Sequence, residues 1–387
     1  MKVKVKVPIL DLIRQYRSLK EEIDVAIRRV LRSGRFILGE EVEAFEREIA
    51  GYLGVKHAIG VASGTDALLL SLKALGIGPG DKVIVPSFTF FATAGAVVNV
   101  GAEPVFVDIE PRTYNLDPGH LRELLRDGRL AEGVRAIIPV HLYGQMAEID
   151  EITEIAKEQE LYVIEDAAQA IGAEYKGRKA GTIGHLGIFS FFPTKNLGAY
   201  GDGGLVVTND DELADKVRLL RVHGARPKYY HRLVGTNSRL DALQAAILRV
   251  KLEHLDGWTR ARRAIAGMYD EQLQGLEGLD PPYRAPDRTH IFHQYTIRVA
   301  GSGRDALQRH LEGQGIATAV YYPLPLHLQE CFRHLGYDEG ELPESERASR
   351  EVLSLPMFPE LTPEEVQYVT AQVRAWAGDH AGEGLDR

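Results

Sequence analysis

The sequence predicts an α/β protein: a large unit with a mainly parallel sheet flanked by helices, followed by a smaller C-terminal α/β unit. Three observations carry this. Short apolar runs alternate with amphipathic helical stretches from about residue 58 to 221, the pattern of strands joined by crossover helices. Several of these runs end abruptly in polar or glycine-rich segments, where the strands of open α/β sheets give way to ligand-binding loops. A stretch rich in Pro, Gly and Asp at 276–290 then precedes a second, shorter alternation of strands and helices.

A chain of 387 residues is long enough for two domains of about 100–200 residues each. The division expected is 1–255 for an N-terminal arm and large domain, and 256–387 for the small domain. With 44% hydrophobic and 26% charged residues, the composition is that of a soluble globular protein. The formal charge of −9 argues against a nucleic-acid surface. The sole cysteine, Cys331, excludes an intrachain disulfide and any multi-cysteine metal site; no metal is expected. Residues 1–7 alternate Lys and Val without the apolar core of a signal peptide, and no apolar run reaches membrane-spanning length. A cytoplasmic protein is expected.

In order along the chain, Leu19, Ile23, Ile27, Val30 and Leu31 recur at helical spacing over 18–32, and a second helix covers 40–51. Ala58 to Ala62 is apolar and is followed by Ser63-Gly64-Thr65-Asp66, opening a helix over 67–75. Small hydroxyl residues and a glycine at a helix start cap it, and the same N–H groups bind phosphate. Taken alone, the segment reads more simply as an N-cap. Strands follow at 82–85, 104–107 and 135–140, with helices near 92–100 and 149–159. Ser87-Phe88-Thr89-Phe90-Phe91 closes the first of these strands, and Phe88 is either core or a plate for a planar ligand. The apolar strand 161–164 ends in Glu165-Asp166-Ala167-Ala168-Gln169, where Asp166 is either a helix cap or a ligand-facing acid.

The run Leu186 to Phe189 leads into Ser190-Phe191-Phe192-Pro193-Thr194-Lys195-Asn196, then Gly198 and Gly201-Asp202-Gly203-Gly204. Lysine is rarely placed in a buried strand-end loop without a partner or a task. One such task is a Schiff base, which needs an unprotonated amine; the bland reading is a surface turn. A strand at 205–207 and helices at 211–221 and 239–255 complete the large unit. The small unit reads as strand 293–299, helix 304–313, strand 316–321, helix 345–353 and helix 363–376, the last opened by the capping box Thr362-Pro363-Glu364-Glu365.

Together these parts complement each other: a phosphate cradle, an aromatic plate, an acid at a strand end and a candidate imine lysine. Pyridoxal 5'-phosphate needs each of them. With Ala62 to Ala67, Pro86 to Phe90, Val163 to Gln169, Phe189 to Gly198 and Gly235 to Asp241 in this order, the sequence resembles the DegT/StrS-like nucleotide-sugar aminotransferases. These are fold-type I pyridoxal-phosphate enzymes, and the likeness is greatest to members forming 3-amino sugars. The resemblance implies that Lys195 forms the Schiff base, Asp166 pairs with the pyridine nitrogen and Gln169 approaches the phenolic oxygen. It further implies that Phe88 covers the ring and that Ser63, Gly64, Thr65 and Ser190 hold the phosphate. Asn237 would reach the phosphate of the partner subunit in a homodimer with shared sites, with Arg239 beside it. Tyr321 and His327, in Tyr-Tyr-Pro-Leu-Pro-Leu-His, would meet the sugar.

The implied reaction moves an amino group from an amino acid, L-glutamate giving 2-oxoglutarate, to a keto-sugar nucleotide. The segment Gly235-Thr236-Asn237-Ser238-Arg239-Leu240-Asp241 with Gln244-Ala245-Ala246 resembles the 3-amino type, which favours a 3-keto hexose or uronate on UDP or dTDP. The alternatives are a 4-keto-sugar aminotransferase and a non-catalytic regulator on the same scaffold. A nicotinamide-dependent oxidoreductase would need a Gly-x-Gly-x-x-Gly turn after an early strand, and Gly181 to Gly187 has the wrong spacing.

Overall fold

The computed structural model describes residues 6–126 and 132–380. Residues 1–5, on which most of the signal-peptide reading rests, lie outside them. Two helices, α1 (Leu12–Ser33) and α2 (Glu40–Leu53), lead into a seven-stranded sheet. Its strands are β1 (His57–Val61), β2 (Lys82–Pro86), β3 (Glu103–Val107), β4 (Val134–Ile137), β5 (Tyr162–Asp166), β8 (Leu186–Ser190) and β9 (Gly204–Thr208). A small hairpin, β6 (Glu174–Tyr175) and β7 (Arg178–Lys179), stands apart. The sheet order is β1-β9-β8-β5-β4-β2-β3. The pairings from β8 through β5, β4 and β2 to β3 are parallel, whereas β9 is antiparallel to both its neighbours. Six strands therefore run one way and β9 alone runs the other.

Helices α3 (Gly64–Ala74), α4 (Ala92–Asn99), α5 (Pro118–Arg126), α6 (Ile149–Glu158) and α7 (Asp211–Leu220) cover the two faces. Strand residues alternate between two cores. Val83 and Val85 pack with α3, α4 and α7, while Ile84 packs with α2, α5 and α6. Both faces of a parallel sheet are thereby buried, as its apolar strands require.

Helix α8 runs from Ala242 to Leu273, past the end expected at 255. Its first half packs in the large-domain core through Ala245, Ala246 and Leu248. Its second half, with Ile265, Ala266, Tyr269 and Leu273, belongs to the small C-terminal core. One helix thus anchors both cores. The small sheet, β10 (Leu279–Asp280), β11 (Tyr295–Val299) and β12 (Val352–Leu355), is antiparallel and is covered by α9 (Arg304–Gly313) and α11 (Pro363–His380). Helix α10 (Pro343–Glu351) stops two residues short of the expected end because Val352 to Leu355, all buried, form the third strand. The strand expected at 316–321 is reduced to isolated bridges at Ile316 and Ala319. The capping box is present: Glu365 N–H donates to Thr362 Oγ1 at 3.2 Å, and Thr362 N–H to the Glu365 carboxylate at 3.0 Å.

Candidate active site

The C-terminal ends of β1, β2, β5 and β8 open on one cavity of about 510 Å³. At one end, β1 turns into α3. Ser63 Oγ caps the helix by accepting Asp66 N–H at 3.0 Å. The N–H groups of Gly64 and Thr65 fall in the first turn, where no intrahelical acceptor exists, and the positive end of the helix meets the cavity. Ser190, the last residue of β8, lies against this turn. A Cβ on Gly64 would stand 2.7 Å from Ser190 Cβ, so glycine is what allows the contact. Ser63, Gly64, Thr65 and Ser190 all line the cavity.

Asp166 ends β5 and is buried. Its carboxylate accepts Thr93 Oγ1–H at 2.9 Å and Ala168 N–H at 3.1 Å. Burial pushes this carboxyl above its usual range, against the pull of those donors and of Lys195. Lys195 lines the same cavity, and burial pushes its amine down to about 8, with Asp166 pulling the other way. An amine so placed is half neutral at about pH 8, against an ordinary 10.5, and the neutral form is what a nucleophile requires. Gln169 accepts Tyr143 N–H at 2.8 Å and donates from Nε2 to Tyr322 Oη at 3.1 Å, which fixes its amide at the cavity wall.

Two expected positions need correction. Phe88 is 1% exposed and packs with Tyr114 and Tyr322, away from the cavity lining. Phe90, two residues on and 57% exposed, lines the cavity and lies 6.2 Å from the Tyr322 ring. Apolar packing beneath the strand end takes the first ring and leaves Phe90 for the ligand. His327 does not reach the cavity either. It is buried, with Nδ1 2.6 Å from Ser87 Oγ and Nε2 3.2 Å from Glu346 Oε1. A carboxylate only accepts, so Nε2 carries the ring proton and the Ser87 hydroxyl donates to Nδ1. His327 ties the 87–91 loop to α10, while Tyr321 and its neighbour Tyr322 supply the cavity wall. Asn237 and Arg239 lie outside this chain's cavity lining; Asn237 is exposed. Between them, Ser238 Oγ accepts Ala62 N–H at 3.3 Å, bracing the segment against the end of β1.

Other residues at the site escaped the sequence reading. Thr93 holds Asp166 from α4. Glu165, wholly buried on the opposite face of β5, accepts N–H groups of Gly181, Ile183 and Gly184 at 2.6–2.9 Å and His141 Nε2–H at 2.9 Å. Burial opposes its charge, but His141 and these N–H groups outweigh burial and hold its carboxyl below the usual range. This clamp fixes the turn that feeds β8, and hence Ser190. His293 and Gln294 also line the cavity.

The arrangement fits pyridoxal phosphate. The glycine-bounded cradle at α3 suits a phosphate. The buried acid, its pKa raised by burial, suits a protonated pyridine nitrogen as its partner. The Lys195 amine, its pKa lowered by burial, suits the aldehyde.

Comparison with known proteins agrees. The profile of the DegT/DnrJ/EryC1/StrS aminotransferase family matches residues 17–374. A Geobacillus stearothermophilus protein named pleiotropic regulatory protein is 56% identical, over 95% of this chain and 97% of its own. The Streptomyces venezuelae dTDP-3-amino-3,4,6-trideoxy-alpha-D-glucose transaminase is 48% identical, over 96% of each chain. An Acidithiobacillus ferrooxidans UDP-N-acetyl-3-dehydro-alpha-D-glucosamine 3-aminotransferase is 47% identical, over 95% of this chain and 97% of its own. The crystal structure of S. venezuelae DesV in complex with a ketimine intermediate superposes with a TM-score of 0.92 at 47% identity, covering 97% of this chain and 99% of the other. This protein is a pyridoxal-phosphate-dependent aminotransferase, and it belongs to the DegT/DnrJ/EryC1/StrS family.

Proposed function

We propose that the enzyme transfers an amino group from L-glutamate to carbon 3 of a keto-hexose linked to UDP or dTDP. The observation that carries the chemistry is the neutralisable amine of Lys195 sharing one cavity with the buried acid Asp166. When bound, pyridoxal phosphate supplies an aldehyde carbon for the nitrogen and a ring that accepts the electron pair released at the donor's Cα. Lys195 Nζ takes the proton from that Cα, holds it as an ammonium and passes it on. Asp166 keeps the pyridine nitrogen protonated. Gly64, Thr65 and Ser190 hold the phosphate from the α3 end, Gln169 meets the phenolic oxygen, and Phe90 covers the ring. The choice of carbon 3 is supported by the Asn237-Ser238-Arg239 segment and by the names of the two transaminase relatives. Incubating the enzyme with glutamate and a panel of 3-keto and 4-keto sugar nucleotides tests it. NMR of the product is expected to show the new amine at carbon 3; an amine at carbon 4 overturns the assignment.

The working unit is a homodimer with shared sites. Tyr229, Tyr230, Leu233 and Val234 stand exposed on the loop before Asn237, and Phe36, Ile37, Phe91 and Phe192 are exposed as well. So much exposed apolar surface supports a covering partner. Asn237 then serves the partner's phosphate and Arg239 its sugar or phosphate oxygens, with a fork suited to such oxygens. Mixing Lys195→Ala with Asn237→Ala chains under exchange conditions is expected to restore up to about a quarter of wild-type activity, by one intact site in each mixed dimer. No recovery means that the sites are not shared. No helix among the described residues is long and apolar enough to cross a membrane. With a lone exposed thiol at Cys331, this supports a place in the cytoplasm.

A further inference from the structure

His293 is held more firmly than a wall residue needs to be. Its segment runs along 143–145, with Ile291 N–H donating to Gly144 O at 2.9 Å and Gln294 N–H to Tyr143 O at 3.3 Å. A Cβ on Gly144 would come within 2.9 Å of His293 N. From α8, the buried Arg262 donates through Nη1 to the carbonyls of Phe292, His293 and Met357 at 2.9–3.4 Å. The ring is fixed too: Nδ1 lies 2.9 Å from Oδ1 of Asn196, the residue after Lys195. With the Asn196 amide in this orientation, which leaves its Nδ2 buried without a partner, the carbonyl oxygen accepts, so Nδ1 carries the ring proton and Nε2 is a bare acceptor. His293 is 6% exposed and lines the cavity. Nε2 has no hydrogen-bond partner among the described residues, and the side chain that carries it lines the cavity. Burial, then Lys195, then Arg262 hold the imidazole well below its usual pKa, so Nε2 stays unprotonated.

Nε2 therefore offers an acceptor in the cavity that holds Lys195, near enough for the amine's charge to act on the ring. Within a keto sugar, the ketone oxygen has no proton to offer it, whereas a hydroxyl does. We propose that His293 is a specificity-determining residue whose Nε2 accepts a hydrogen bond from a hydroxyl next to the keto carbon. This rests on the keto-sugar reading above and names the kind of sugar it favours: one that retains this vicinal hydroxyl.

Two variants separate the ends of the ring. In His293→Asn the amide replaces Nδ1, can keep Asn196 and removes Nε2. In His293→Gln the amide oxygen reaches the Nε2 position. The probes are two dTDP-linked 3-keto-6-deoxyhexoses, one with the hydroxyl at carbon 4 and one without. Wild-type kcat/KM is expected to favour the hydroxylated sugar by roughly tenfold. His293→Asn should bring the ratio to about twofold by losing on that sugar alone, and His293→Gln should recover part of the preference. In His293→Asn the Tm of the cofactor-free protein and its Kd for pyridoxal phosphate should be unchanged, whereas His293→Gln, which gives up the Asn196 bond, should melt somewhat lower. Equal loss on both sugars, or weakened cofactor binding in His293→Asn, overturns the proposal, because His293 would then act through Asn196 on Lys195. A wild-type preference for the deoxy sugar overturns the acceptor assignment. Absence of wild-type turnover on every sugar nucleotide of the larger panel sinks the substrate reading, and this one with it.

Discussion

Lys195→Ala is expected to abolish amine transfer, lowering kcat by at least about 10⁴, because the variant loses both the attachment point for the cofactor and the base that moves the proton. Alanine leaves Asp166, Gln169 and the α3 cradle intact, so the variant should still bind pyridoxal phosphate non-covalently. Borohydride followed by mass spectrometry is then expected to find the cofactor fixed to the wild-type chain and absent from Lys195→Ala. The wild-type amine makes a second, graded statement. Burial lowers its pKa to about 8 from an ordinary 10.5. Below that value the amine is mostly ammonium and cannot attack. The rate of covalent cofactor capture should therefore rise about tenfold per pH unit up to about 8 and flatten above it. A rise continuing to pH 10 would mean that the amine is not desolvated. Appreciable turnover by Lys195→Ala would remove Lys195 from the mechanism altogether.

Much of this site was legible because its chemistry sits where strands end. The apolar runs stop at Asp166 and Ser190, and both residues lie at the cavity, as an open sheet with ligands at its strand ends requires. What was illegible depended on contacts distant in sequence. Ser87-Phe88-Thr89-Phe90 alternates polar and apolar, which treats the two rings alike, so nothing local told Phe88 in the core from Phe90 at the cavity. His327 stands in a segment of cavity-wall tyrosines, but its partners, Ser87 and Glu346, are met only through the fold. Nothing in the sequence around His293 points to its partner Asn196, which is met only through the fold. Other misses had signals. Asp117-Pro118 opens α5 with an acid followed by Pro in the first turn. Ile265, Tyr269 and Leu273 continue helical spacing past 255, diluted by the charged residues between them. The run Val352 to Leu355 is too short for periodicity to separate strand from buried helix.

Asp166→Asn should cost about 10³ in kcat while leaving the fold intact. The amide matches the carboxylate in shape. Its oxygen can accept Ala168 N–H, and its nitrogen can donate to Thr93 Oγ1, so both present partners are kept. What goes is the charge that keeps the pyridine nitrogen protonated, and with it the ring's capacity to take up the electron pair. Two measurements separate this from a packing defect. First, Asp166 raises the basicity of Lys195, so its neutralisation should move the midpoint of covalent cofactor capture below about 8; a purely structural lesion has no reason to move it that way. Second, the sign of the stability change is fixed by the carboxyl's own shift. Burial raises its folded pKa above the unfolded value, so keeping it ionised opposes folding once the pH exceeds the unfolded value. The cofactor-free variant should therefore melt no lower than wild type at pH 8, and the difference should vanish below the usual carboxylate range. A cofactor-free Asp166→Asn that melts well below wild type at pH 8, with the capture midpoint unmoved, would make Asp166 a structural residue and take the pyridine partner away from it.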